Sequence, residues 1–119
     1  MRMSDRSIIV SPSDAAAKPR PPDNLATPII DRHGVEIEYY APRGIDPQTP
    51  HDRDELYVIA SGAASFSSAA GKREVTAGDL IFVPAQEVHR FEDIGAGFAA
   101  WVVFFGPSKR GASGQGSAR

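Results

Sequence analysis

From Val35 onward the chain is broken at short intervals by glycine, proline or aspartate, and no window of eleven residues keeps a helical period. That punctuation excludes a helical bundle and leaves short strands joined by tight turns, the pattern of an all-β sandwich or barrel. The candidate strands are Val35–Ala41, Glu55–Ser61, Ala63–Ser67, Arg73–Thr76, Leu80–Pro84, Val88–Glu92 and Phe98–Phe105. Eleven glycines and ten prolines in 119 residues fit many turns better than long helices. A chain this long buries about two thirds of the surface its unfolded form exposes, so one core is expected.

Ahead of the strands, residues 1–28 read as an arm. Ser7-Ile8-Ile9-Val10 can form a short edge strand, and Ser11 to Ala17 supports at most one helical turn capped by Ser11 or Ser13. Lys18-Pro19-Arg20-Pro21-Pro22 then forbids regular structure, because each proline lacks a donor and restricts the residue before it. Pro28-Ile29-Ile30 can add a strand, and Asp31-Arg32-His33-Gly34 is turn chemistry. The expected organisation is an arm over 1–28, a barrel over 29–106 and a disordered tail over 107–119, rich in Gly, Ser and Ala.

Composition narrows the function. With no cysteine, any metal must be held by nitrogen and oxygen. A net charge of -2 with scattered cations argues against nucleic acid as the main partner. The longest apolar run, Phe98 to Phe105, is much shorter than a membrane span, and the N-terminus lacks the apolar core of a signal segment, so a cytoplasmic protein without a membrane partner is expected. Phosphate-binding glycine loops, nucleophile elbows and His-Glu-x-x-His helices are absent from the sequence.

What remains are His51, Glu55 and His89. Two imidazoles and a carboxylate suffice to hold a divalent transition metal. In an extended strand His51, Arg53, Glu55, Tyr57 and Ile59 share one face. Four residues along a strand is a long reach, so His51 and Glu55 meet at one ion only if the chain bends near Asp52 to Asp54, and His89 must arrive from a neighbouring strand. His33, in a turn, is left out of the site. The competing reading is a barrel whose histidines are satisfied by hydrogen bonds to Glu55 with no ion present.

These residues resemble the cupin superfamily. Its first motif runs His-x-His, three or four residues, Glu, six residues, Gly, and here Thr49 stands at the first histidine while His51, Glu55 and Gly62 match. Its second runs Gly, five residues, Pro-x-Gly, two residues, His, three residues, Asn, and here Gly78, Pro84 and His89 match, with Gln86 for the glycine and Asp93 for the asparagine. The resemblance covers residues 35 to 106 and implies a jelly-roll barrel, the cupin double-stranded β-helix, with a metal shell reduced from three His and one Glu to two His and one Glu. Gln48, Thr49 or a water could complete the coordination, and Gln86 implies a slightly altered loop.

The resemblance implies a small metal protein holding Fe, Mn, Zn or Ni through His51, Glu55 and His89, an oxygenase or isomerase acting on a small molecule. The alternatives are a non-catalytic binding or sensing module, or a metal-free barrel. Tyr57 and Arg53 are the candidate substrate contacts, Arg53 as a carboxylate anchor. Phe82, Phe91, Trp101 and Phe104 read first as core. The apolar strand Ala99–Phe105 exceeds what a small sheet can hide and an exposed edge invites pairing, so a homodimer is expected.

Overall fold

The computed structural model describes residues 6–19 and 26–108. One short helix, α1 (Pro12–Ala17), precedes eight strands: β1 (Ala26–Arg32), β2 (Val35–Tyr40), β3 (Asp54–Ser61), β4 (Ala63–Ser68), β5 (Gly71–Thr76), β6 (Leu80–Val83), β7 (His89–Glu92) and β8 (Ala99–Phe105). They form two antiparallel sheets, β1-β2-β8-β3-β6 and β5-β4-β7, the expected all-β jelly roll. The expected tail beyond Ser108 lies outside the described residues, as do 1–5 and 20–25.

Alternation along the strands builds the core. On β3 Glu55, Tyr57 and Ile59 are buried while Val58 is exposed, and on β8 Val102 and Phe104 are buried while Trp101, Val103 and Phe105 are half-buried. These inward residues meet Phe66, Val75, Val83, Phe91 and Phe98 between the sheets. Phe91 is the hub, its ring 5.0 Å from Tyr57, 5.3 Å from Phe66 and 4.9 Å from Phe98, distances at which aromatic pairs add to simple area burial. Phe82 is not core: it faces outward on the edge strand β6.

Three expectations about the periphery change. Ser7 to Val10 pairs with no strand; Val10 instead packs with Ala15 of α1 against Tyr39, Ala99 and Trp101 on the outer face of the five-stranded sheet. The helical turn forms as anticipated, with a capping box in which Ser11 Oγ accepts from Asp14 N at 3.0 Å and Asp14 Oδ2 accepts from Ser11 N at 3.1 Å. The first strand starts at Ala26, ahead of Pro28. A proline is tolerated there because β1 is an edge strand, and its pairing with β2 shifts register between Pro28 and Ile30. Finally β8 lies between β2 and β3, so Ala99–Phe105 has a paired strand on either side rather than an exposed edge.

Candidate metal centre

The two halves of the site come from opposite sheets. Glu55 is the second residue of β3, while His51 precedes it on a segment that bends at Asp52 and Arg53 before the strand begins. That bend is what the spacing required. His89 opens β7 in the smaller sheet. The segment between β6 and β7 is fastened to the first half by Gln86 N donating to His51 O at 2.6 Å and Ala85 N donating to Asp54 Oδ1 at 2.8 Å.

Together these links bring three ligand atoms, one each from His51, Glu55 and His89, to within 4.8 Å of one another. The three residues are 2%, 1% and 4% exposed. Glu55 Oε2 lies 3.4 Å from His89 Nε2 and 3.9 Å from His51 Nε2. Donors sharing one ion at about 2.0–2.2 Å sit roughly 3–3.5 Å apart, so the Glu55–His89 pair already fits one ion and the Glu55–His51 pair is a few tenths of an ångström long.

His89 has its tautomer chosen for it. Its Nδ1 is 2.8 Å from Glu87 O, and a carbonyl only accepts, so Nδ1 carries the proton. Neutral imidazole then presents the Nε2 lone pair inward, the outer hydrogen bond that orients metal-binding histidines. Tyr57 is completely buried, its hydroxyl donating to Gln48 Oε1 at 3.0 Å and lying 3.1 Å from His89 Nε2. Phe104 meets His51 edge-on at 5.1 Å and Phe66 lies 6.0 Å from the His89 ring, so the walls are aromatic.

The remaining candidates separate. Gln48 enters, its Oε1 3.2 Å from His51 Nε2, whereas Thr49 is exposed and takes no part. Arg53 is also elsewhere. Its guanidinium donates to Glu36 Oε1 at 2.6 Å, to Gly106 O at 3.0 Å and to Gly34 O, tying the β1–β2 turn to the end of β8. Arg53 precedes the first residue of β3, where period-two alternation no longer applies, and it points away from the face that alternation predicts. His33 is exposed at φ 54 beside Gly34 at φ 80, the two-residue turn with both angles positive that joins antiparallel strands.

Two features escaped the sequence reading. Gln86 adopts φ 73, the left-handed conformation a glycine would take, at a cost of about 1–2 kcal/mol. Asp46, 3% exposed, accepts from Gln48 Nε2 at 2.6 Å, Gln48 N at 3.3 Å and Phe91 N at 2.8 Å, and from the Tyr40 hydroxyl. Ahead of Pro47, its sequence context does not distinguish it from ordinary loop punctuation.

A model of the cupin domain family matches residues 36–105. The chain belongs to that family. Among curated proteins, an uncharacterized protein of Streptomyces coelicolor is 36% identical over 62 residues, 52% of this chain and 59% of that protein, so the match spans little more than half of the relative's length. A cupin 2 conserved barrel domain protein of Salinispora arenicola superposes with a TM-score of 0.60 at 20% identity, covering 75% of this chain and 88% of that one. A Ralstonia eutropha protein provisionally described as a mannose-6-phosphate isomerase gives a TM-score of 0.54 at 27% identity, covering 73% and 88%.

Proposed function

We propose that this cupin holds one divalent transition-metal ion through His51, Glu55 and His89 and leaves neighbouring positions for a small ligand with an oxygen donor. The observation that carries this reading is the burial of three ligand atoms within 4.8 Å while His89 Nδ1 is committed to a backbone carbonyl. Taking a carboxylate out of water costs several kcal/mol unless charge compensates it, and a dication supplies that compensation. When bound, such an ion acts as a Lewis acid toward a carbonyl or hydroxyl oxygen beside it.

The chain's own groups supply the rest. The Tyr57 hydroxyl, whose proton goes to Gln48 Oε1, donates to a ligand oxygen only by giving up that bond, and the rings of Phe66 and Phe104 limit water. A cavity of about 520 Å³ lined by Phe66, Val75, Ile81, Phe82 and Glu87, with Lys72 and Arg73 also on its wall, lies behind His89 on its Nδ1 side, and His51, Glu55 and His89 are not among its lining residues. Likeness to the Ralstonia protein favours carbonyl polarisation, as in an isomerase, over oxygen chemistry.

Purified protein is expected to carry metal that a chelator removes, with readdition of Mn, Fe, Ni or Zn raising the melting temperature. No metal and no thermal response to any of the four would sink the reading. Turnover of hydroxy-carbonyl compounds without oxygen uptake supports the isomerase type, oxygen uptake the oxygenase type, and ligand binding without turnover a sensing module.

We infer further that two copies associate through the outer face of the five-stranded sheet beyond α1. There Leu56 pairs with Phe82 and Val103, and Val58 with Leu80 and Trp101, making an apolar surface on which Leu80 is 66% and Phe82 54% exposed. Sedimentation should give a dimer that Phe82→Glu converts to monomer. A wild-type monomer at micromolar concentration refutes it.

A further inference from the structure

Thr49, at the position of the family's first histidine, is exposed, and the residue before it fills the space instead. The geometry points to Gln48 Oε1 as a fourth protein donor to the metal, with Asp46 as the positioning residue that aims it. This rests on the metal reading above.

A free glutamine amide can turn either end toward a site. Here Asp46 removes that choice, because a carboxylate only accepts and Gln48 Nε2 lies 2.6 Å from Asp46 Oδ2. The nitrogen end is thereby turned away and Oε1 faces inward, 3.2 Å from His51 Nε2. That gap is shorter than the 3.9 Å between His51 Nε2 and Glu55 Oε2. Gln48 Oε1, His51 Nε2, Glu55 Oε2 and His89 Nε2 thus form a ring of ligand atoms, in which an ion would take the place of the proton that His51 Nε2 donates to Gln48 Oε1, with the Tyr57 hydroxyl 3.0 Å from the first and 3.1 Å from the last.

Asp46 is itself held. It accepts from Phe91 N at 2.8 Å, two residues along β7 from His89, so one buried carboxylate sets both the Gln48 amide and the strand that carries a histidine. A charged acceptor on the amide N–H also polarises the carbonyl and makes Oε1 a better donor, as outer hydrogen bonds do for metal-bound histidines. Replacing an imidazole with a carbonyl oxygen shifts the shell to two nitrogens and two oxygens, which favours Mn over Zn relative to a site with three histidines.

The test uses Co(II), Mn(II) and Zn(II) titrated into the full metal-stripped chain, reading affinity and the visible Co(II) spectrum. Gln48→Leu removes the donor at similar volume and should weaken Co(II) roughly tenfold or more with a changed spectrum. Asp46→Asn should shift the spectrum in the same sense, whereas a purely structural Asp46 would lower the melting temperature and leave the spectrum alone. Gln48→His should restore affinity and raise the Zn-to-Mn preference, which keeps the result readable if Asp46→Asn folds poorly. If Gln48→Leu binds like wild type while His51→Ala does not bind, Gln48 is no ligand and the three-residue site stands. If wild type binds none of the three ions, the metal reading falls and this inference with it.

Discussion

Replacing His89 by alanine is expected to reduce bound metal from near stoichiometric to background and to abolish the thermal response to added ion. Structural zinc sites with four donors are worth about 10–16 kcal/mol, or roughly 3 kcal/mol per donor, so losing one weakens binding more than hundredfold. At one hundred times its dissociation constant an ion stabilises the wild-type fold by about 2.7 kcal/mol, which moves the melting temperature of a domain this size by roughly 10–20 °C. Metal content and melting curves with and without ion read both effects. The alanine also removes the Nδ1–H donor to Glu87 O, so the metal-free variant itself should melt a few degrees lower, and the decisive quantity is the shift on adding metal. His33→Ala provides the comparison, since His33 is exposed in the β1–β2 turn and its loss should leave metal content unchanged. A His89→Ala protein that retains one ion per chain would dismantle the proposed centre.

The positions that could be read from the sequence are those governed by alternation. Glu55, Tyr57 and Ile59 are buried together because β3 is a regular strand with one face on the core, and period two carries that information in the sequence. His51 and Arg53 lie before the strand starts, where alternation has no authority, and the two went opposite ways. His51 turned inward because Gln86 N holds its carbonyl; Arg53 turned outward to Glu36 and to the carbonyls of Gly34 and Gly106. Such partners are 17 to 53 residues distant along the chain, and no local pattern encodes them.

Asp46 and Gln86 were missed for a related reason. Aspartate before proline and a polar residue in a turn are the common furniture of loops, and the sequence does not distinguish an exposed loop carboxylate from one that is 3% exposed with four donors on it. Their roles depend on β7 passing close enough for Phe91 N to reach Asp46, which is a property of the assembled sandwich. Both residues sit within the stretches that build the site. The motif residues mark where the chain must converge, and the less conspicuous polar neighbours do the fastening.

The second large effect is expected at Gly62, the turn between β3 and β4. It adopts φ 72, and a Cβ built there would lie 2.7 Å from both Cα and N of Phe98 and 3.0 Å from Gly97 C. All three neighbours are backbone, so no side-chain rotation relieves the overlap. Gly62→Ala therefore incurs about 1–2 kcal/mol for the left-handed conformation and about 1–3 kcal/mol for forced displacement of packed structure. Restricting the unfolded chain returns about 0.4–1 kcal/mol. The net is a loss of roughly 2–4 kcal/mol, a large share of the 5–15 kcal/mol typical of a domain, and a fall in melting temperature of about 10–25 °C. Displacement of Phe98 would be felt at its ring contact with Phe91, 4.9 Å away on the strand that carries His89, so the variant should also lose metal affinity although Gly62 touches none of the ligands. Gly78→Ala separates the two terms: φ there is 96 but nothing lies within 4 Å of the added carbon, so only the conformational cost applies and the loss should be about half as large. Equal melting temperatures for the two variants would show that the close approach of the β3–β4 turn to the Phe98 backbone is not what makes glycine necessary at position 62.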